Sequence, residues 1–243
     1  MQKIGFIGGG RVVRIMLQAM QNEKMTFERI VVSDPDRTNL DRLIRAFVDL
    51  QVTAGSNIDA AAQEIVFLAV HPPMLKEVLA EIAPIVQQAQ AVVSLAPVFK
   101  AEKIAALLNG YNRIARMIPN AATLMNRGYN PLWVSEKIGE SAKNALMHLF
   151  SALGDCPAVE EDKLEAYAIL TAMGPTYLWP QLQELHQLSL EFGLTEEETK
   201  AGMKAMLSNT VDLLYDSGLS YEEVVDLIPV KPLGDGEATH EHF

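Results

Sequence analysis

Three consecutive glycines, Gly8-Gly9-Gly10, stand directly after the apolar run Ile4-Gly5-Phe6-Ile7 and open the stretch Arg11 to Met20. A strand that feeds a helix through glycines lets backbone approach a pyrophosphate closely. The helix then aims unpaired N–H groups and its positive dipole end at the phosphates. An acidic residue about 20 positions further on normally takes the ribose hydroxyls. Here Val31-Val32-Ser33-Asp34 ends a second apolar run, and Asp34 lies 21 residues beyond Val13. With strand, turn, helix and acid in register, a dinucleotide site is favoured over a tight turn that binds nothing. The third small residue of such a fingerprint, which lets helix pack on strand, is Val13 here, so packing at that point is expected to be looser or shifted.

Apolar runs of strand length alternate with amphipathic stretches through the first two thirds of the chain, the pattern of an α/β fold with a doubly wound, mostly parallel sheet. Eight strands are expected: Lys3 to Ile7, Ile30 to Ser33, Val52-Thr53, Ile65 to Val70, Ala91 to Leu95, Asn112 to Met117, Pro131 to Val134 and Cys156 to Val159. Helices are expected near Val12 to Gln21, Asn39 to Phe47, Asn57 to Ala62, Pro73 to Ile85, Lys103 to Leu108 and Ile138 to Leu153. After Val159 only helices are expected, with Thr195-Glu196-Glu197-Glu198 and Ser220-Tyr221-Glu222-Glu223 marking two starts. The division reads as a Rossmann domain over 1–159 and an all-helical domain over 160–243.

A net charge of −11 and the lack of any Lys/Arg run exclude a nucleic-acid phosphate backbone as a favoured partner. No apolar stretch reaches the roughly 20 residues that cross a bilayer. The first strand begins by Ile4, leaving no room for a signal peptide, so a cytoplasmic protein with no membrane partner is expected. Cys156 is the only cysteine, which excludes an intrachain disulfide and a cysteine metal cage, and acidic Asp155 and Glu160 beside it argue against a nucleophile. His240 and His242 are two ligands at a chain end without a third, so no metal site is expected.

A doubly wound sheet places ligands at the carboxyl ends of its strands. His71 follows the apolar run Phe67 to Val70 there, and its ordinary pKa near 6.5 suits it to donate the proton that accompanies hydride transfer. A histidine pinned by Pro72-Pro73 and bonded to backbone is the competing role. Further along, Thr171-Ala172-Met173-Gly174-Pro175-Thr176-Tyr177 interrupts an apolar helical run. Proline and glycine there are expected to break or kink the helix, freeing N–H groups that can receive a carboxylate beside the hydroxyls of Thr171, Thr176 and Tyr177. A kink that serves packing alone fits the same residues.

Taken in one order, the glycine turn, the Ala69-Val70-His71-Pro72 strand end, the Arg116-Met117-Ile118-Pro119-Asn120 segment and the Gly174-Pro175-Thr176-Tyr177 stretch resemble the pyrroline-5-carboxylate reductases over nearly the whole chain. The resemblance implies reduction of a cyclic imine by a nicotinamide cofactor, with a Rossmann domain, a helical dimerisation domain and active sites formed at the homodimer. It places the dinucleotide on Gly8, Gly9, Gly10, Arg11 and Val12 and on Ser33, Asp34 and Arg37. The nicotinamide would be lined by Ala69, Val70, His71, Pro72 and Asn120, with Thr171, Thr176 and Tyr177 on the substrate side. Departures cluster where the substrate binds: Met173 replaces a hydroxyl, His71 replaces a lysine, Arg11 an asparagine, and Ile228 to Gly234 a glycine- and threonine-rich loop, after which the usual helix is short or missing. Lys231 there offers a cation for an anionic substrate or a solvated surface charge.

The sequence thus leads to a reductase moving hydride from NADH or NADPH to a C=N bond of a small carboxylated, imine-like substrate. Asp34 favours NAD by hydrogen bonding and by repelling a 2′-phosphate, whereas Arg37 in the same loop suits NADP. The rival reading is a cofactor-binding dimer without turnover, a sensor or partner-binding protein, motivated by the loss of substrate hydroxyls beside a surviving glycine turn.

Overall fold

The structure is a computed structural model and describes residues 2–230; Lys231, His240, His242 and the Leu233-Gly234 end of the altered loop lie outside them. Among the described residues nine strands run β1 Lys3–Ile7, β2 Arg29–Ser33, β3 Val52–Ala54, β4 Ile65–Leu68, β5 Ala91–Ser94, β6 Ile114–Met117, β7 Gly128–Tyr129, β8 Leu132–Val134 and β9 Gly154–Asp155. The helices among them are α1 Arg11–Asn22, α2 Arg37–Ala46, α3 Asn57–Ala61, α4 Pro72–Ile82, α5 Ala101–Leu107 and α6 Glu140–Ser151. Seven strands form one sheet in the order β3-β2-β1-β4-β5-β6-β8, parallel except for β8, which pairs antiparallel with β6. This is the doubly wound Rossmann arrangement, and the chain reverses its winding between β1 and β4.

Side chains alternate across each strand, so both faces of the sheet are apolar. Ile4 and Phe6 join Val13, Met16, Leu17 and Met20 of α1 and Leu146, Leu149 and Phe150 of α6 on one face. Ile7, Val66 and Leu68 join Leu75, Leu79 and Ile82 of α4 on the other. Each such side chain, fully buried, contributes about 1.5–3 kcal/mol. Val13 is fully buried within the first cluster. The branched chain is taken into the core between α1 and the sheet.

The strand expected over Cys156 to Val159 is not formed. Pro157 has no N–H to give, and pairing is reduced to one bridge between Ala158 and Leu132, with Leu132 N–H donating to Pro157 O and Val159 N–H to Leu132 O, each at 2.9 Å. Just before it, β9 pairs in parallel with β7 in a separate two-stranded sheet. Two-residue strands carry too little alternation to be read from sequence.

By the density of its contacts the chain separates into a first compact unit, residues 1–175, and a second beginning at Thr176. The first reaches past the sheet because Arg116 at the end of β6, 1% exposed, holds Glu161. Its Nη1 donates to Glu161 Oε1 at 2.8 Å, its Nη2 donates to Pro97 O, and the same Glu161 oxygen accepts from Ala101 N–H at 2.6 Å. Lys100 pairs with Asp162 at 2.7 Å alongside. From there α7, Leu164–Tyr167, leads into a π-helix, Ala168–Met173, and then α8, Pro175–Glu191.

The expected break at Gly174-Pro175 is absent, since Gly174 has helical dihedrals, φ −46° and ψ −45°. A π-turn bonds a carbonyl to the N–H five residues on, so the N–H that Pro175 lacks is the one the Leu170 carbonyl would meet, where an α-helix would direct it to Thr171. In the second unit α9, Glu196–Asp216, and α10, Tyr221–Asp226, open with capping boxes, Thr195 with Glu198 and Ser220 with Glu223, where the acidic starts were expected. Among the described residues no helix is long and apolar enough to cross a membrane, and no group of three or more His, Cys, Asp or Glu is placed to hold a metal.

Candidate functional site

The glycine turn sits at the carboxyl edge of the sheet where its winding reverses. Gly8 N–H donates to Ser33 O at 2.8 Å, and Ala69 N–H donates to Ile7 O at 2.8 Å, so the ends of β1, β2 and β4 meet at this point. Gly8 has φ +100°, and a Cβ there would lie 2.5 Å from Ala69 O. Only glycine fits. A Cβ on Gly10 would meet nothing within 4 Å. Gly10 is the N-cap of α1, and its carbonyl takes the first helical bond, from Arg14 N–H at 3.2 Å. The N–H groups of Arg11, Val12 and Val13 thus precede the first α-helical bond, and the first turn of α1 carries no acidic residue. Open space over Gly10, free helix-end donors and an unopposed dipole are what a dinucleotide pyrophosphate requires.

Asp34 is brought to this turn, as its spacing suggests, and its carboxylate is already engaged. Oδ2 accepts from Gly9 N–H at 2.6 Å; Oδ1 accepts from Asp36 N–H at 2.8 Å and from Asn39 Nδ2 at 3.4 Å. Ser33 Oγ donates to Asn57 Oδ1 at 2.7 Å, and Arg37, well exposed, lies 3.7 Å from Asp41 on the next turn of α2. Sequence reasoning passed over Arg14 and Arg42, which join Gly9, Gly10 and Arg11 around a small recess. The i, i+3 spacing of Arg11 and Arg14 carried the signal for one of them.

The next strand end is of different character. Ala69 and Val70 are half-buried beside Gly8, and His71 is the exposed N-cap of α4, with no side-chain cap bond and its carbonyl accepting from Met74 N–H at 3.0 Å. Pro72 and Pro73 remove two N–H groups from that helix end, so α4 offers little to an anion.

Asn120 and Thr171 meet. Asn120 Nδ2 donates to Thr171 O at 2.5 Å, while its Oδ1 accepts from Ala122 N–H at 2.9 Å and its own N–H donates to buried Asn130 Oδ1 at 2.8 Å. Residue 175, whose N–H would take the Thr171 carbonyl in an α-helix, is proline. The Asn120 amide supplies a donor instead. The Thr171 hydroxyl donates back to Tyr167 O at 2.9 Å, and the ring of Tyr167 lies 6.2 Å from that of Tyr129. Thr176 and Tyr177 open the second compact unit on the first turn of α8, both exposed. Burial pushes the Cys156 thiol up to about 11, with Asp155 adding to the rise, so it stays protonated and is no nucleophile.

Residues 3–97 match the family described as NADP oxidoreductase coenzyme F420-dependent. A pyrroline-5-carboxylate reductase of Haemophilus influenzae is 26% identical over 200 residues, 81% of this chain and 72% of its own length. Pyrroline-5-carboxylate reductase 2 of Bacillus subtilis is 25% identical over 92% of this chain and 81% of its own. In fold, the solved pyrroline-5-carboxylate reductase of Coxiella burnetii superposes with a TM-score of 0.72 at 24% identity, covering 99% of this chain and 89% of its own. The pyrroline carboxylate reductase of Plasmodium falciparum, solved with NADP bound, gives 0.74 at 19% identity, covering 99% and 88%. The order of motifs along the chain, the sheet they build and these relatives agree: over most of its length the chain is similar to pyrroline-5-carboxylate reductases, and it shares their fold.

Proposed function

We propose that this protein is a homodimeric reductase that transfers hydride from a reduced nicotinamide dinucleotide to the C=N bond of a small carboxylated imine, pyrroline-5-carboxylate being the first candidate. The observation that carries the reading is the glycine turn at the winding reversal, where Gly8 can only be glycine, Gly10 faces open space and α1 presents unopposed N–H groups. The bound cofactor would supply the hydride. The protein's own residues would hold, orient and shield. Ala69 and Val70 would bear on the nicotinamide side, with His71 and Pro72 beyond them and Asn120 fixing the turn that carries Thr171. Orienting two carbons at near-attack distance can supply on the order of 7–11 kcal/mol, so a protonated iminium needs no committed acid and His71 is free to be dispensable.

Homodimerisation is supported by the apolar surface of the second unit, where Trp179 is 54%, Phe192 86% and Tyr215 76% exposed. Thr176 and Tyr177, in the helix that carries Trp179, would take the substrate side by the family likeness. The test is loss of reduced-nicotinamide absorbance with pyrroline-5-carboxylate, using NADH and NADPH in turn. Saturable turnover is the expected result. Dinucleotide binding without turnover on this or related imines would replace the reductase with a cofactor-binding sensor.

A further inference from the structure

The loop Ala96 to Lys100 leaves β5 at the carboxyl edge of the sheet and is fastened from below. Arg116 stands opposite Ser94 on the neighbouring β6, and its Nη2 donates to Pro97 O and, at 3.5 Å, to Ala96 O. Glu161 Oε1 accepts both from Arg116 Nη1 at 2.8 Å and from Ala101 N–H at 2.6 Å. Ala101 is the first residue of α5, whose N-cap Lys100 makes no side-chain cap bond, so a carboxylate 60 residues away takes the open N–H of that helix. One buried charge pair thus holds the carbonyls at the start of the loop and the N–H at its end.

Stability alone does not account for the pair. Arg116 is buried, and its Nε has no acceptor among the described residues. A guanidinium kept from water with one N–H unmet costs more than an apolar side chain of the same volume, so what such a pair contributes is a fixed geometry. The place calls for one. Leu95 N–H donates to Leu68 O at 3.0 Å, so the loop continues from the strand next to the one that carries Ala69 and Val70. A dinucleotide in a doubly wound fold lies across the winding reversal. Its adenosine half belongs on the β2 side with Asp34, which leaves its nicotinamide half on the side of β4 and β5.

We propose that Arg116 and Glu161 are positioning residues for the nicotinamide half of the cofactor, acting through the loop Ala96 to Lys100 without touching the ring. The proposal rests on the reading that a nicotinamide dinucleotide binds at Gly8 to Gly10. In Glu161→Gln the side-chain oxygen can still accept, but the counter-charge is gone. The guanidinium then turns toward Glu165, 3.8 Å away, and releases the carbonyls of Ala96 and Pro97.

The test is calorimetric titration of the full chain with the reduced dinucleotide that wild type binds and with its ADP-ribose counterpart, which lacks only the nicotinamide. The variants are Glu161→Gln, Ala101→Pro and Asp162→Asn, with thermal melts as a check on folding. Ala101→Pro removes the N–H that Glu161 holds at a position where helices accept proline. Asp162→Asn breaks only the exposed pair with Lys100. Wild type is expected to bind dinucleotide about tenfold more tightly than ADP-ribose, a margin that Glu161→Gln and Ala101→Pro each cut about fivefold while ADP-ribose affinity stays within about twofold. Asp162→Asn should move neither ligand by more than about twofold. Turnover of the imine should fall at least about tenfold in Glu161→Gln, since a ring misplaced by about 1 Å can cost about 100-fold. Parallel losses for both ligands, or an unchanged margin beside a lowered melting temperature, would make the pair purely structural and overturn the proposal, as would an equal effect of Asp162→Asn. Failure of the underlying reading has a different signature, wild type that binds neither dinucleotide nor ADP-ribose, and it removes the proposal as well.

Discussion

Gly8 and Gly10 separate two reasons for glycine in one motif. At φ +100° and with Ala69 O where a Cβ would go, Gly8→Ala is expected to cost about 2–3 kcal/mol, read as a lowered urea midpoint. Gly10, extended and facing open space, is expected to lose less than about 1 kcal/mol as alanine, yet to bind dinucleotide more weakly because the methyl occupies the approach path. A titration beside the melts distinguishes them. Cys156 gives a pH prediction. Its pKa is raised by burial to about 11, above the ordinary thiol value, so the folded protein holds a proton that the unfolded chain releases first. Stability from this group is therefore complete below the unfolded pKa and is lost as pH rises through the folded one. Alkylation of native protein should stay slow at pH 8–9, where the unfolded chain reacts readily, and accelerate toward about pH 11. The poor reactivity of this thiol was legible from its acidic neighbours. The main cause, burial, was not, because it depends on the packing of α6 and on the Phe150 carbonyl that the thiol meets.

At the scale of elements, the segment through Gly174-Pro175 shows a local rule that allowed a break or a kink and a structure in which the helix is not broken. Proline does lack its N–H and does clash with the carbonyl four residues back, and the sequence implies a break or a kink on that ground. The structure keeps a helical path by widening it into the π-helix Ala168–Met173 and by meeting Thr171 O with the Asn120 amide, 51 residues away in the chain. Gly174 is required there, since a Cβ would lie 2.0 Å from Leu170 O. Asn120→Ala should therefore cost about 1–3 kcal/mol, because it removes a donor from Thr171 O and an acceptor from Ala122 N–H. In a Pro175→Ala background the cost should be smaller, since residue 175 then has an N–H of its own to offer. A double-mutant cycle on urea midpoints should give a coupling of about 0.5–2 kcal/mol, and additive losses would remove the link between Asn120 and the proline.

At the scale of the whole molecule, the buried Arg116 decides how far the first compact unit extends. Its charge is compensated chiefly by Glu161, so Glu161→Ala should cost about 3 kcal/mol by leaving the guanidinium buried with only Glu165, 3.8 Å away, as counter-charge. Hydrogen exchange should then quicken over residues 160–175 before it quickens in the central strands. Assembly belongs to this scale too. Sedimentation should find a dimer, and Trp179→Glu with Phe192→Glu should shift it toward monomer while the folded far-ultraviolet spectrum persists, because both side chains are already exposed in the single chain.

The doubly wound sheet, the glycine turn at its carboxyl edge and the capped starts of α9 and α10 were legible from local order alone, because each is set by residues near one another in the chain: alternating apolar runs, a strand feeding glycines, a threonine or serine three residues before a glutamate. Spacing also brought Asp34 to the glycine turn. Packing of distant elements set which groups Asp34 holds, that Asn120 serves a helical carbonyl 51 residues away, and that Arg42 of α2 comes beside Arg11 and Arg14 of α1. Those outcomes depend on partners distant in sequence, where hydrogen-bonding capacity is spent and charges are gathered only after the elements have packed.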